Sequence, residues 1–233
     1  MGKEKSIANK MCPSTLDEIV GQDHIIKEDK LFRELIATNN LSSLIFYGSP
    51  GTGKTTIATV IANTIGANFV TFNASIVKKT CLQQVIAKAK EDFKCDGKKT
   101  ILFLDDIHLL VEEQKDFLLP FIENKLISLI GATIKNPHDE VDSDLVLHSV
   151  IFEVKPLTVQ AIKTLLLRAL KDRKRGFGNK QVTVSEEVLD FISRGANGNA
   201  SLALNILELA VLSTPTSEDG TISIGLKEVF EQV

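Results

Sequence analysis

Tryptophan is absent from this 233-residue sequence, tyrosine occurs once, methionine twice and cysteine three times. A wide base-stacking platform needs exposed aromatic rings, so none is expected here, and the 12 phenylalanines are read as core. Cys12, Cys81 and Cys95 are odd in number and lack CxxC spacing, while His24, His108, His138 and His148 are scattered. Those absences exclude a disulfide scaffold and a clustered zinc site, and they fit a reducing compartment. No apolar run reaches the roughly 18 residues a membrane span requires, and residues 1–10 carry no secretory h-region. A chain that stays in the cytosol, with a solvated leader, is expected. Net positive charge is missing too: 27 Lys+Arg stand against 30 Asp+Glu, a formal charge of −3. No overall field recruits nucleic acid, so any such contact must be local. What is present, 43% hydrophobic and 24% charged residues, suits one large globular domain with a small satellite.

Strand-like and helix-like segments alternate. Leu44-Ile45-Phe46-Tyr47 is a short apolar run; a glycine-rich stretch follows, and residues 54–65 repeat apolar side chains at helical spacing. Residues 68–72, 100–104, 126–131 and 150–154 read as further strands, with helices over 82–90 and 113–123. Five strands separated by helices imply a parallel sheet, reached by right-handed crossovers and covered on both faces. Residues 1–13, polar and ending in Pro13, are expected to be a flexible arm. The α/β domain is expected over 14–155, and a small helical domain over 156–213, with helices at 159–170, 185–192 and 200–212 and a weak strand at 182–184. Residues 214–233 read as a linker and the start of a further element. A basic, glycine-containing loop, Arg173 to Lys180, separates the first two helices of the small domain and is expected to be solvated.

Gly48-Ser49-Pro50-Gly51-Thr52-Gly53-Lys54-Thr55 fits G-x-x-x-x-G-K-[ST] between a strand and a helix. Four fixed positions should arise by chance in roughly one chain of this length in a hundred. The chemistry accounts for the spacing: glycines let successive N–H groups turn inward around phosphates, and the following helix adds its positive end. Lys54 is expected to reach the β- and γ-phosphates, and the Thr55 hydroxyl to ligate Mg²⁺. Ile101-Leu102-Phe103-Leu104-Asp105-Asp106 ends a buried strand in two carboxylates, where parallel sheets bind ligands. Asp105 is the expected Mg²⁺ partner. Asp106 is the candidate to orient the attacking water, so Lys54 and Asp106 are the catalytic candidates.

A family likeness rests on these stretches together with Thr15-Leu16-Asp17-Glu18-Ile19-Val20-Gly21-Gln22-Asp23-His24, Leu41-Ser42-Ser43-Leu44-Ile45, Ile107-His108, Leu129-Ile130-Gly131-Ala132-Thr133 and Leu204-Asn205-Ile206-Leu207-Glu208-Leu209-Ala210. From about Pro13 onward the chain resembles the AAA+ ATPases of the replication-associated recombination protein A family, in the clamp-loader clade. The resemblance implies a P-loop α/β domain with a helical lid, ATP and Mg²⁺ as cofactors, and an oligomer of like or unlike AAA+ subunits. It also implies action on single-stranded or forked DNA alongside replication-fork proteins, with a nucleoid-associated or, in a eukaryote, nuclear location and no membrane. Val20, Gly21 and Thr56 join the phosphate-loop residues as implied nucleotide contacts.

Several positions depart from the family pattern. The acidic strand ends Asp-Asp rather than Asp-Glu, one methylene short at the residue that positions water. Ile134 stands at the first sensor position, usually polar; His148 and Val150 stand where arginines precede the fifth strand; Ser201 stands at the arginine of the lid. None of these supplies a permanently charged fork. Binding parts are kept and hydrolysis parts altered, which predicts weak or partner-dependent turnover. The alternative is a non-hydrolysing structural subunit of a hetero-oligomer. A branch-migration motor is a third and weaker reading, because no DNA-binding domain is seen after the lid.

Overall fold

The computed structural model describes residues 6–27, 29–38, 41 and 43–230. In chain order they form α1 (Ile7–Lys10), α2 (Asp23–Ile26), α3 (Lys30–Ala37), β1 (Ser43–Tyr47), α4 (Lys54–Ile65), β2 (Asn68–Asn73), α5 (Lys79–Asp96), β3 (Thr100–Asp105), α6 (Glu112–Glu123), β4 (Ile127–Thr133), α7 (Pro137–Glu140), α8 (Ser143–Leu147), β5 (Ser149–Glu153), α9 (Val159–Lys171), β6 (Gln181–Val184), α10 (Glu186–Gly195), α11 (Ala200–Ser213), β7 (Thr221–Ile224) and α12 (Leu226–Phe230). Single 3₁₀ turns lie at Leu16–Glu18 and Ile107–Leu109. The chain divides into two units. One is Ser14–Ser49 with Gly53–Lys155; the other holds the described residues up to Pro13, the short stretch Pro50–Thr52, and those from Pro156 onward.

The first unit is the expected five-stranded parallel sheet flanked by helices, in the order β2-β3-β4-β1-β5. Strand periodicity of two divides its side chains between two cores. Leu44, Phe46, Ile101, Phe103, Ile130 and Ala132 face a cluster completed by Ile57 and Ile61 of α4 and Phe32 of α3. Ile45, Leu102, Leu104 and Leu129 face the other, closed by Leu82 and Ile86 of α5 and Leu118 and Ile122 of α6. Both faces are therefore dry, and the chemistry is confined to the strand ends. β4 lies between β1 and β3. Two inter-strand spacings therefore place the ends of β1 and β3 about 10 Å apart along one rim.

The second unit packs α9, α10 and α11 through buried residues such as Ile162, Leu166, Leu189, Ile192, Leu204 and Leu207. Each of these helices is capped by its own sequence: Thr158, Ser185 and Asn199 accept from backbone N–H groups of the first turn. Two sequence readings are corrected here. Residues 1–13 are not simply an arm: α1 buries Ile7, neighbouring Met11 is buried as well, and the Ile7 N–H donates to Glu208 of α11 at 3.0 Å. Residues 1–5 lie outside the described residues. Likewise 214–230 does not stand apart from the small domain as a linker and a separate element, because β7 pairs in parallel with β6 and α12 buries Val229 within the same unit. Residues 231–233 lie outside the described residues.

Candidate functional site

The rim at the C-terminal ends of the strands begins with Gly48. Its φ of +147° already disfavours a side chain, and a Cβ would stand 2.1 Å from the carbonyl oxygen of Val154. Only glycine lets the chain leave β1 this close to the end of β5. Gly51 (φ +71°) and Gly53 (φ +104°) carry the loop through left-handed conformations, with Thr52 buried between them. Gly53 is the N-cap of α4 and supplies no side-chain cap, so the N–H groups of the first turn have no partner from that position. Lys54, Thr55 and Thr56 open that helix.

Lys54 is a buried lysine, folded back over its own loop. Its Nζ donates to the carbonyl oxygens of Gly48 at 2.7 Å and Ser49 at 2.8 Å. Burial lowers its pKa, while the charges of Asp105 and Asp106 pull it upward. A cation taken from water and held by neutral carbonyls lacks full compensation; an anion brought to it would supply the remainder.

Asp105 ends β3, and Asp106 follows with φ +53°, heading the turn Ile107–Leu109. The Asp106 N–H donates to Asp105 Oδ1 at 3.1 Å, and the Asp106 carboxylate is held from the side, accepting from Asn73 Nδ2 at 2.9 Å. Asn73 is the last residue of β2, in register with Asp105. Sequence reasoning missed Asn73; the available signal was a polar residue closing the strand before the acidic one. On the neighbouring β4, buried Thr133 shares a hydrogen bond of 3.0 Å with His108 Nδ1 and accepts from the Lys135 N–H at 3.1 Å. Ile134, the next residue, is 56% exposed.

Val20 and Gly21 approach this rim through their neighbours. Buried Gln22 donates to the Lys155 carbonyl at 2.7 Å and accepts from its N–H at 3.2 Å, and the His24 ring lies 2.9 Å from the Glu153 carbonyl oxygen. The segment is thus tied to the chain just beyond β5, beside the residue that limits Gly48. His148 and Val150 lie elsewhere. His148 immediately precedes β5, its Nε2 is 3.4 Å from Glu123 Oε1, and with Leu41, Ser43 and Ile127 it lines a cavity of about 140 Å³. Ser149 is in register with Ser43 at the start of β1. Five residues of strand therefore separate that edge from Gly48, about 16 Å. Ser201 is exposed in the first turn of α11.

A parallel α/β sheet with a glycine loop after β1, a buried lysine and two carboxylates after β3 defines a nucleotide-binding P-loop class. Residues 44–155 match the family described as "ATPase family associated with various cellular activities (AAA)", so this stretch of the chain is an AAA domain, whose fold implies nucleotide binding. Its homologues include the replication-associated recombination protein A of Bacillus subtilis, 41% identical over 97% of this chain and 53% of that protein. The protein of the same name from Escherichia coli K12 is 33% identical over 92% of this chain and 48% of its own length. The ATPase WRNIP1 of Dictyostelium discoideum is 34% identical over 90% and 24%. The chain spans about half the length of the bacterial relatives it matches. Among solved structures, the Thermotoga maritima RuvB Holliday junction branch migration motor shares the fold, with a TM-score of 0.75 at 21% identity over 95% of this chain and 72% of that one.

Proposed function

We propose that the protein binds ATP with Mg²⁺ and acts on DNA, single-stranded or forked, as a subunit of a homo- or hetero-oligomeric AAA assembly, inside the cell at the nucleoid or in a nucleus. The observation that carries the nucleotide reading is the buried Lys54 ammonium, resting on the carbonyls of Gly48 and Ser49 beside the uncapped start of α4. On arrival of a triphosphate, Lys54 exchanges those carbonyls for β- and γ-phosphate oxygens, while N–H groups of Ser49, Gly51, Thr52, Gly53, Lys54 and Thr55 surround the chain of phosphates. Pro50, with no N–H, shapes the loop, and Thr56, Val20 and Gly21 flank the nucleotide.

The Thr55 hydroxyl and the Asp105 carboxylate are a hard oxygen pair of the kind Mg²⁺ takes alongside phosphates and water. When bound, Mg²⁺ neutralises charge developing on the transferred phosphoryl group. Asp106 orients water, with a reach one methylene shorter than glutamate. The DNA part of the reading draws on the names of the recombination-protein relatives. Calorimetry tests the core of the proposal: micromolar ATP·Mg²⁺ affinity in the wild type and its abolition in Lys54→Ala. Equal binding by the variant overturns it.

A second reading, a non-hydrolysing structural subunit, is favoured by the apolar exposed Ile134 and by Ser201 at the lid position. Steady-state ATPase with and without single-stranded DNA separates the two: turnover in either condition supports the first, and none supports the second.

A further inference from the structure

The loop between α9 and β6 has a charge pattern that the nucleotide site does not use. From Arg168 to Lys180 six basic residues accompany one carboxylate, Asp172. Elsewhere from Pro156 onward, three basic residues stand against eight acidic ones. Positive charge from Pro156 onward is therefore concentrated in one short segment rather than spread along that part of the chain.

The structure also shows that Asp172 is committed to the loop itself. Its Oδ1 accepts from the N–H groups of Lys174 at 2.8 Å and Arg175 at 2.9 Å, and its Oδ2 from Arg175 Nε at 2.9 Å. These bonds hold the carboxyl down to about 2. Asn179 Nδ2 fastens the Arg173 carbonyl at 2.7 Å. Gly176 and Gly178 lie so close to α9 that a Cβ would stand 2.0 Å from the Ala169 carbonyl oxygen and 2.4 Å from that of Lys171. Internal bonds thus fix the backbone while its cations remain outside: Lys171, Arg173, Lys174 and Lys180 are exposed and, among the described residues, form no ion pair. Phe177, the aromatic residue of the loop, is buried, and its N–H donates to the Ala169 carbonyl.

We infer that this loop is a preformed backbone-binding surface for single-stranded DNA, contacting phosphates through Lys171, Arg173, Lys174 and Lys180 and leaving the bases unread. The inference rests on the reading that the protein acts on DNA, and it assigns that contact to residues that take no part in the nucleotide site. A rigid scaffold limits the entropy lost when cations meet phosphates. A flexible strand can bring successive phosphates to so short a loop without a groove-shaped surface. With Phe177 inside, stacking contributes nothing, so affinity should depend on salt and not on base identity.

The test measures fluorescence anisotropy of labelled oligo(dT) with the full chain between 50 and 200 mM salt, for the wild type and for Lys171→Ala/Arg173→Ala/Lys174→Ala/Lys180→Ala. Arg175 is left in place because it pairs with Asp172. At roughly 0.7 per phosphate on single strands, the log–log salt slope should shrink by about 2 to 3 in the variant. Calorimetric ATP affinity and the melting temperature should not change. An abasic oligonucleotide of equal length should bind the wild type about as tightly as oligo(dT), and a variant exchanging Lys for Arg and Arg for Lys at the four positions should keep the slope. An unchanged slope in the alanine variant overturns the loop assignment while leaving DNA binding intact. Failure of the wild type to bind overturns the DNA reading along with it. Tighter binding of duplex, or loss of binding with the abasic strand, overturns the single-strand backbone contact.

Discussion

At the scale of single residues, Lys54 and Asp106 make opposite kinds of claim. Lys54 is tuned by burial, so its pKa lies below the ordinary lysine value of 10.5. The sign of the consequence follows directly. Below the lowered pKa the ammonium is charged in the free protein and nucleotide binds; as pH rises through it, binding must be accompanied by proton uptake and affinity falls. ATP affinity should therefore decline on the alkaline side before pH 10.5, with a limiting slope of one log unit per pH unit, measurable by calorimetry in buffers of different ionisation enthalpy. For Asp106 the question is reach. Asp106→Glu should raise single-turnover hydrolysis by more than it changes ATP affinity, because a misplacement near 1 Å can cost about 100-fold in rate. If Ile134 and Ser201 limit the rate as well, the gain appears only with Ile134→Thr and Ser201→Arg added. No gain in any combination refutes the claim that these departures suppress turnover. Both residues were legible in the sequence because their motifs are local and contiguous. Asn73 was not, because it meets Asp106 through the register of β2 on β3, 33 residues away in the chain.

At the scale of elements, legibility followed how much of an element's stability is local. The five strands and the helices at 54–65, 113–123, 159–170 and 200–212 could be read because continuous apolar runs and period-3.6 stripes mark them. α1 could not, since two buried side chains in a polar stretch give no period, and its partner Glu208 is 201 residues distant. β6 and β7 are weak for a similar reason: each has four residues, stabilised by the other. The turn Ile107–Leu109 is an element whose position depends on a neighbour. A Cβ at Gly131 would lie 2.4 Å from Ile107 Cδ1 and 3.1 Å from its Cγ2. Gly131→Ala should therefore push Ile107 out of the core and move the turn that Asp106 heads, at a cost of about 1–3 kcal/mol. Chemical denaturation reads the loss, and Ile107→Val in the same background should recover part of it by removing Cδ1. Absence of both effects would mean that the packing beneath the carboxylates is looser than the structure shows. In the basic loop, Asp172 has a folded pKa near 2 against an unfolded value near 3.8. Its contribution to stability is therefore present above about pH 4 and lost as pH falls through 2. Asp172→Asn should flatten that part of the acid-denaturation profile.

At the scale of the whole molecule, the sheet separates two sets of residues that a linear reading groups together. Lys54, Asp105 and Asp106 occupy the C-terminal rim, whereas His148 stands at the opposite edge, beside Glu123 and the start of β1. About 16 Å of strand divides that edge from the phosphate loop, farther than an arginine side chain extends. A side chain at position 148 therefore does not reach the phosphate loop of its own subunit, and in the proposed assembly only another subunit's nucleotide is left for it to meet. A guanidinium supplied across an interface is associated with rate gains of about 10³ to 10⁵ in phosphoryl transfer. An imidazole near a carboxylate is no substitute for it. His148→Arg, made together with Asp106→Glu, should then give an ATPase rate per subunit that rises with protein concentration as the assembly forms, and that returns to the Asp106→Glu level on dilution. Measuring turnover across a hundredfold range of concentration, with sedimentation at the same concentrations, checks both halves. A gain independent of concentration would place position 148 in its own site, contrary to the sheet geometry. A concentration-dependent assembly with no gain would instead remove position 148 from catalysis and leave His148 as part of the surface around Glu123.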